Sequence, residues 1–200
     1  MLFTFVYQDF FRTLYEACFT NTQGVLLLLI RKINFRKIYN LLLLRLSYHF
    51  SFLFKKAYVW AYPMAISVEP VSACNLSCVE CVIGRGELER KPSILSIENY
   101  KKIIDQLHSH LIYISLFFQG EPFLHPKIIE MISYAHQHKI FTSISTNGHF
   151  FEEEAFVEKL IKSHLDRLII SIDGTTQEVY EQYRKGGNLD LVLEGVRRVV

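Results

Sequence analysis

From Pro63 onward the sequence alternates short, β-branched apolar runs with amphipathic stretches, and this alternation constrains the fold more than any other feature. Segments 66–69, 112–118, 141–145 and 168–172 read as strands. The second is almost wholly apolar, as a parallel strand covered on both faces should be. Between them, Ser96 suits the cap of a helix whose inward face is Ile97, Tyr100, Ile103, Ile104 and Leu107. Pro126 suits the first position of a helix carrying Ile128, Ile129, Ile132 and Ala135. Phe156, Val157, Leu160 and Ile161 mark another helix, and 177–184 and 189–200 two more. This spacing predicts parallel βα units, an α/β fold wrapping into a partial TIM-like (β/α) barrel. Four strands do not close a barrel, and the sequence stops inside a helical pattern at Arg197-Arg198-Val199-Val200. The expectation is therefore an N-terminal fragment, with residues 63–200 as a core domain incomplete at its C-terminus.

Three of the four cysteines fall within eight residues, as Cys74-Asn75-Leu76-Ser77-Cys78-Val79-Glu80-Cys81. A secreted disulfide scaffold would be shorter and would spread its cysteines in pairs, so a reducing, cytoplasmic compartment is expected. Three thiolates on one loop can converge on one inorganic centre. Cubane iron–sulfur clusters ordinarily take four cysteines. A set of three leaves one iron with an open position, where a metal centre does chemistry. The remaining cysteine, Cys18, precedes a long basic segment and is a poor candidate for a fourth ligand. The competing reading is a three-cysteine zinc site completed by His125 or His149, in a degenerate barrel that serves as a binding module.

The C-x3-C-x2-C spacing at the end of a first strand resembles the signature of the radical S-adenosylmethionine (radical SAM) superfamily. Phe118-Gln119-Gly120-Glu121-Pro122 is similar to the Gly-Gly-Glu-Pro segment of that family, with Gln119 in place of its first glycine. Leu124-His125-Pro126 and Ser145-Thr146-Asn147-Gly148 match further turns. Ser171-Ile172-Asp173-Gly174, Tyr180, Tyr183-Arg184 and Gly186-Gly187 resemble the stretch found in members with a C-terminal SPASM domain. The resemblance implies a [4Fe–4S] cluster on Cys74, Cys78 and Cys81, and S-adenosylmethionine bound at its open iron. It also implies reductive cleavage to a 5′-deoxyadenosyl radical for hydrogen abstraction. An electron donor such as ferredoxin or flavodoxin, and a peptide or protein substrate, go with that reading.

Residues at the strand ends are expected to bind the nucleotide. Gly120, lacking a Cβ, would let a ligand approach the backbone. Glu121 would accept from the methionine ammonium, or else cap backbone amides. Ser171 and Asp173, at alternate strand positions, would both face the lumen, or else Asp173 only starts an Asp-Gly turn. Arg184 would fork onto the cofactor carboxylate, or form a surface ion pair. Asn147 would contribute to binding, or be the left-handed residue of its turn.

Residues 1–62 read as a basic helical extension, with two helices across 21–62 ending at Pro63. No Asp or Glu occurs from Ala17 to Val68, whereas Arg31, Lys32, Arg36, Lys37, Arg45, Lys55 and Lys56 do. That asymmetry predicts a basic face meeting lipid headgroups or an acidic partner, or else a helical extension packed on the barrel; no nucleic acid is expected. The apolar runs at 25–30 and 41–44 are too short to span a bilayer.

Overall fold

The computed structural model describes residues 23–200; Cys18 and the remainder of the first 22 residues lie outside them. Two helices open the described chain, α1 (Gln23–Arg31) and α2 (Phe35–Phe54). Asn34 caps α2 by accepting from the Lys37 amide at 3.0 Å, and Lys55 ends it in the left-handed conformation. The second helix thus stops well before Pro63, where the sequence pattern had placed its end.

Four parallel strands follow in the order β1 (Ala65–Ser67), β2 (Tyr113–Ser115), β3 (Phe141–Thr146) and β4 (Arg167–Ile170), each paired with its sequence neighbour. Helices α3 (Ile97–Leu107), α4 (Ile128–Gln137) and α5 (Glu154–Lys162) make the crossovers; α6 (Gln177–Tyr183) and α7 (Leu189–Val199) complete the chain. This is the expected α/β architecture, a partial TIM-like barrel. Ser96 caps α3 as its sequence suggests, accepting from Asn99 N at 3.2 Å. Helix α4 begins at Ile128, two residues beyond Pro126. The His125 ring accepts the Lys127 amide at 3.1 Å, so this turn closes before the helix starts.

The strands are shorter than the apolar runs that encode them. Although Leu116 is fully buried and its amide still reaches Ser143 O at 2.9 Å, β2 ends at Ser115; Pro70, next in the parallel register, has no amide to donate, and the Phe117 carbonyl accepts from the Ser67 hydroxyl at 2.9 Å instead. Side chains thus take over from the ladder where the loops must part to make room for a site.

One core lies between sheet and helices, where Tyr100, Ile104, Ile114, Met131, Ile132 and Ile144 are buried. The Tyr100 hydroxyl donates to Met131 O at 3.0 Å, tying α3 to α4. A smaller cluster closes the N-terminal end of the sheet, with Leu29 of α1 on Met64, Ile112, Tyr113 and Phe141.

The basic segment departs from its sequence reading. Lys32 and Lys37 point into the protein rather than outward. Lys32 Nζ meets Asp166 Oδ2 at 2.8 Å and Ile140 O at 3.2 Å. Asp166 also accepts from Thr142 N at 2.9 Å. Lys37, 1% exposed, donates to Lys139 O at 2.7 Å and Lys32 O at 3.1 Å. Burial, with the Lys32 and Lys139 cations nearby, pulls its pKa down to about 8. A buried cation without acceptors is costly, and the carbonyls ahead of β3 supply them here.

Candidate cofactor site at the C-terminal edge of the sheet

All three cysteines sit on the loop after β1, and all are free thiols. The loop is clamped from two sides. On one side Glu121 N donates to Ala73 O at 2.8 Å. On the other, Ser77 N reaches Lys185 O at 3.0 Å and Val79 N reaches Tyr183 O at 3.2 Å. Within the loop Cys81 N returns to Cys78 O at 3.2 Å, and Gly84 packs so closely on the Cys78 backbone that a Cβ there would overlap it.

Cys74, Cys78 and Cys81 border one pocket of about 190 Å³ at the C-terminal rim, the end at which parallel barrels place their chemistry. Gly120, Glu121, Asn147, Ser171 and Arg184 also line it. Among the described residues no three His, Cys, Asp or Glu side chains converge on an ion-sized point. The three thiols line that pocket together, a donor set suited to an iron–sulfur cluster.

Neither histidine proposed as a zinc ligand is available. His125 donates through Nε2 to Leu95 O at 2.8 Å and accepts the Lys127 amide at Nδ1. His149 accepts from Asn188 N at Nε2 (2.9 Å), while its Nδ1 lies 3.1 Å from Asn147 Oδ1. Burial lowers the His149 pKa, in keeping with this arrangement.

Burial pushes the Cys74 and Cys78 thiols up. Opposing it at Cys74, the Leu76 amide lies 3.5 Å from sulfur and Asn147 Nδ2 3.8 Å. At Cys78 the Arg184 guanidinium opposes it. A coordinating metal deprotonates such thiols outright, so a burial-raised pKa does not disqualify them as ligands. The donor set therefore fits an iron–sulfur cluster: three sulfurs around one pocket, with N–H groups aimed at sulfur.

Each of these rim residues has protein partners of its own. What approaches Gly120 is protein: a Cβ would overlap Val71 O and stand 2.9 Å from Ala73 O. Its missing side chain lets the cysteine loop dock. Glu121 is 3% exposed, and its carboxylate accepts from Phe123 N (3.1 Å), Thr146 Oγ1 (2.8 Å) and Asn147 N (2.8 Å). It is the amide-capping carboxylate of the second reading, welding the turn after β2 to the end of β3; burial raises its pKa. Asn147 is not the left-handed residue of its turn. Gly148 is, with φ of 84°, and Asn147 is thereby free to donate to Asn75 Oδ1 at 2.7 Å. Strand β4 ends at Ile170, so Ser171 and Asp173 do not share a strand face. Ser171 reaches the pocket beside Ser145 (Oγ to Oγ 3.5 Å), whereas Asp173 turns outward and binds Arg184 Nε at 2.6 Å. Asp173 holds Arg184 with its guanidinium beside Cys78.

Glu69 lies outside the motifs, and Tyr180 lies within one but carried no assigned role. Glu69 accepts from Gln119 N at 3.1 Å and Gly120 N at 3.3 Å and pairs with Arg90. Its signal was available: it is the first carboxylate after the acid-free stretch, at the end of the first strand pattern. Tyr180 fills the space between Gly174 and Gly187, where a Cβ on Gly187 would lie 2.7 Å from its ring. The Asp-Gly…Tyr…Arg…Gly-Gly pattern is thus a self-packed unit that supports the cysteine loop from below.

A parallel α/β arc carrying three thiols at its C-terminal rim defines the class as a cluster-bearing partial barrel. Residues 68–200 match the model of the radical SAM superfamily, and the chain belongs to that family. It is 31% identical over 137 residues to the mycofactocin maturase MftC of Mycobacterium tuberculosis (strain ATCC 25618 / H37Rv), covering 68% of this chain and 34% of the relative. The MftC of Mycolicibacterium smegmatis is 30% identical over the same length. The chain therefore spans about a third of the length of the curated relatives it matches. In fold it is similar to Streptococcus suis SuiB bound to S-adenosylmethionine, with a TM-score of 0.58 and 20% identity over 69% of this chain and 31% of that one. SuiB bound to precursor peptide SuiA gives 0.53 and 19%, covering 68% and 31%.

Proposed function

We propose that this chain, as the core domain of its protein, holds a [4Fe–4S] cluster on Cys74, Cys78 and Cys81 and binds S-adenosylmethionine beside it. When bound, that pair supplies one-electron cleavage of the sulfonium, yielding methionine and a 5′-deoxyadenosyl radical that abstracts a substrate hydrogen. The observation that carries the reading is the gathering of three free thiols around the same pocket as Gly120, Asn147 and Ser171.

The chain's own residues then have distinct tasks. The backbone at Gly120 and the polar side chains of Asn147 and Ser171 face the space where the nucleotide would bind and orient it there. Glu121 positions this rim by fixing Asn147 and Phe123. Arg184 supplies positive charge beside Cys78 to favour the ligating thiolate, and Asp173 aims it. Cys74 accepts the Asn147 and Leu76 N–H groups, which lower the charge density on its sulfur.

A peptide or protein substrate is the class we favour. The curated relatives are named as maturases, and SuiB has been solved with a precursor peptide. The resemblance of the pattern from Ser171 to Gly187 supports a SPASM-bearing member, and a ferredoxin or flavodoxin is the electron donor this chemistry calls for. Purified and assayed without oxygen, the protein is expected to contain iron and acid-labile sulfide and to release 5′-deoxyadenosine when given S-adenosylmethionine and a low-potential reductant. Stoichiometric zinc without sulfide, and no nucleoside product, would refute the assignment.

A further inference from the structure

We infer that the outer face of α2 and the turn that follows it dock on an anionic membrane surface. Helix α2 is amphipathic in the inverted sense. Its polar stripe faces the protein: Lys37 on two carbonyls, Asn40 on both the amide and the carbonyl of Tyr62 at 2.9 Å, Ser51 on Tyr58 N at 2.9 Å. Its apolar residues face outward. Phe35 is 81% exposed, Phe52 78% and Leu53 73%, with Ile38, Leu42 and Leu46 exposed alongside. Water would select the opposite orientation, because soluble surfaces seldom carry contiguous apolar patches of this extent.

Beyond the helix the chain turns back at Lys55 and Lys56. Phe50, Phe54, Tyr58 and Trp60 cluster there, with the Phe50 and Trp60 rings 5.0 Å apart and Phe54 and Tyr58 6.2 Å apart. Between helix and return segment runs an apolar groove of about 660 Å³, lined in part by Leu41, Leu44 and Val59 with Arg45 among them. Tyr58 and Trp60, each with an apolar body and a polar tip and set beside lysines, suit the boundary between acyl chains and headgroups, with Phe50 and Phe54 on the apolar side.

Charge decides the occupant. Arg31, Arg36, Arg45, Lys55 and Lys56 are exposed around this face, and no carboxylate occurs from Ala17 to Val68. A second copy of the chain would bring like charges together across a two-fold interface, whereas anionic headgroups neutralise them. No helix among the described residues is long and apolar enough to cross a bilayer. A 20-residue basic helix with one apolar face lies in the plane of the interface instead.

Trp60 is the sequence's single tryptophan and so reports on docking directly. In flotation with phosphatidylglycerol-containing vesicles, the protein is expected to rise with the lipid, with Trp60 emission shifted to the blue. It should stay in solution with pure phosphatidylcholine and be released by high salt. A Leu42→Glu, Phe52→Glu double variant alters only exposed positions; with its circular dichroism unchanged, it should partition at least about 10-fold more weakly. The inference is overturned by an absence of flotation or blue shift, by equal binding to neutral vesicles, or by unchanged binding of the variant. Vesicle binding that emerges only on deleting residues 1–22, or a dimer that the variant dissociates while vesicles are ignored, also overturns it. The assay needs no cluster, so its failure leaves the cofactor site's assignment untouched.

Discussion

Cys78→Ala is expected to strip the protein of its iron and sulfide and to abolish 5′-deoxyadenosine formation. Loss of a hydrogen-bond partner one shell out from a metal typically costs roughly 10–100-fold in affinity or activity. Removing a direct sulfur ligand from a set of only three should cost more than about 100-fold. Cys78 is the buried member of the three and has Arg184 beside it. An alanine there leaves the guanidinium with Asp173 and the Tyr183 ring, and the cluster with two thiolates. Cys18→Ala, outside the cysteine loop, is expected to retain both cluster and turnover. Iron and sulfide analysis of the three proteins side by side decides the matter. A Cys78→Ala protein with wild-type cluster content would show that this thiol is not a ligand.

Gly120→Ala should be the most damaging single methyl in the barrel. The added carbon overlaps the Val71 carbonyl oxygen, which is backbone and has no rotamer by which to retreat. Relief requires the turn after β2 to separate from the cysteine loop, breaking the 2.8 Å bond from Glu121 N to Ala73 O. Overpacking of this kind costs about 3 kcal/mol, or roughly 6–12 °C in melting temperature for a domain of this size. Gly86→Ala is the comparison: its φ of 69° strains an alanine, but nothing lies within 4 Å of the new carbon. That change should cost about 1–2 kcal/mol. Thermal melts of the two variants test this directly. Equal melting temperatures would mean that loop docking through Gly120 is not what holds the rim together.

Much of the architecture was legible because the hydrophobic period changes visibly along the chain. The apolar run ending in Phe118 and the capped face from Ile97 to Leu107 each predict their element, and both elements are present. The limits of the strands were not legible, since Leu116 and Phe117 are as apolar as the residues before them. Where β1 and β2 part, the Phe117 carbonyl takes its hydrogen from the Ser67 hydroxyl, fifty residues earlier in the chain. The three thiols were found by spacing alone. The partners of the surrounding residues were less legible: Gly120 meets the Val71 carbonyl, Glu121 the Asn147 amide and Asp173 the Arg184 guanidinium. The inversion of α2 was hidden for the same reason. In the sequence Lys32 and Lys37 look like Arg36 and Arg45, and only the carbonyls of Lys139 and Ile140, together with Asp166, single out the first two for burial.

Three sulfur ligands are expected to leave one corner of the cluster open to a nucleotide. Electron paramagnetic resonance of the chemically reduced protein, recorded before and after adding S-adenosylmethionine, tests this most directly. The account predicts an iron–sulfur signal whose g values and line shape change on addition. A signal indifferent to saturating S-adenosylmethionine, or no cluster signal at all, would contradict it.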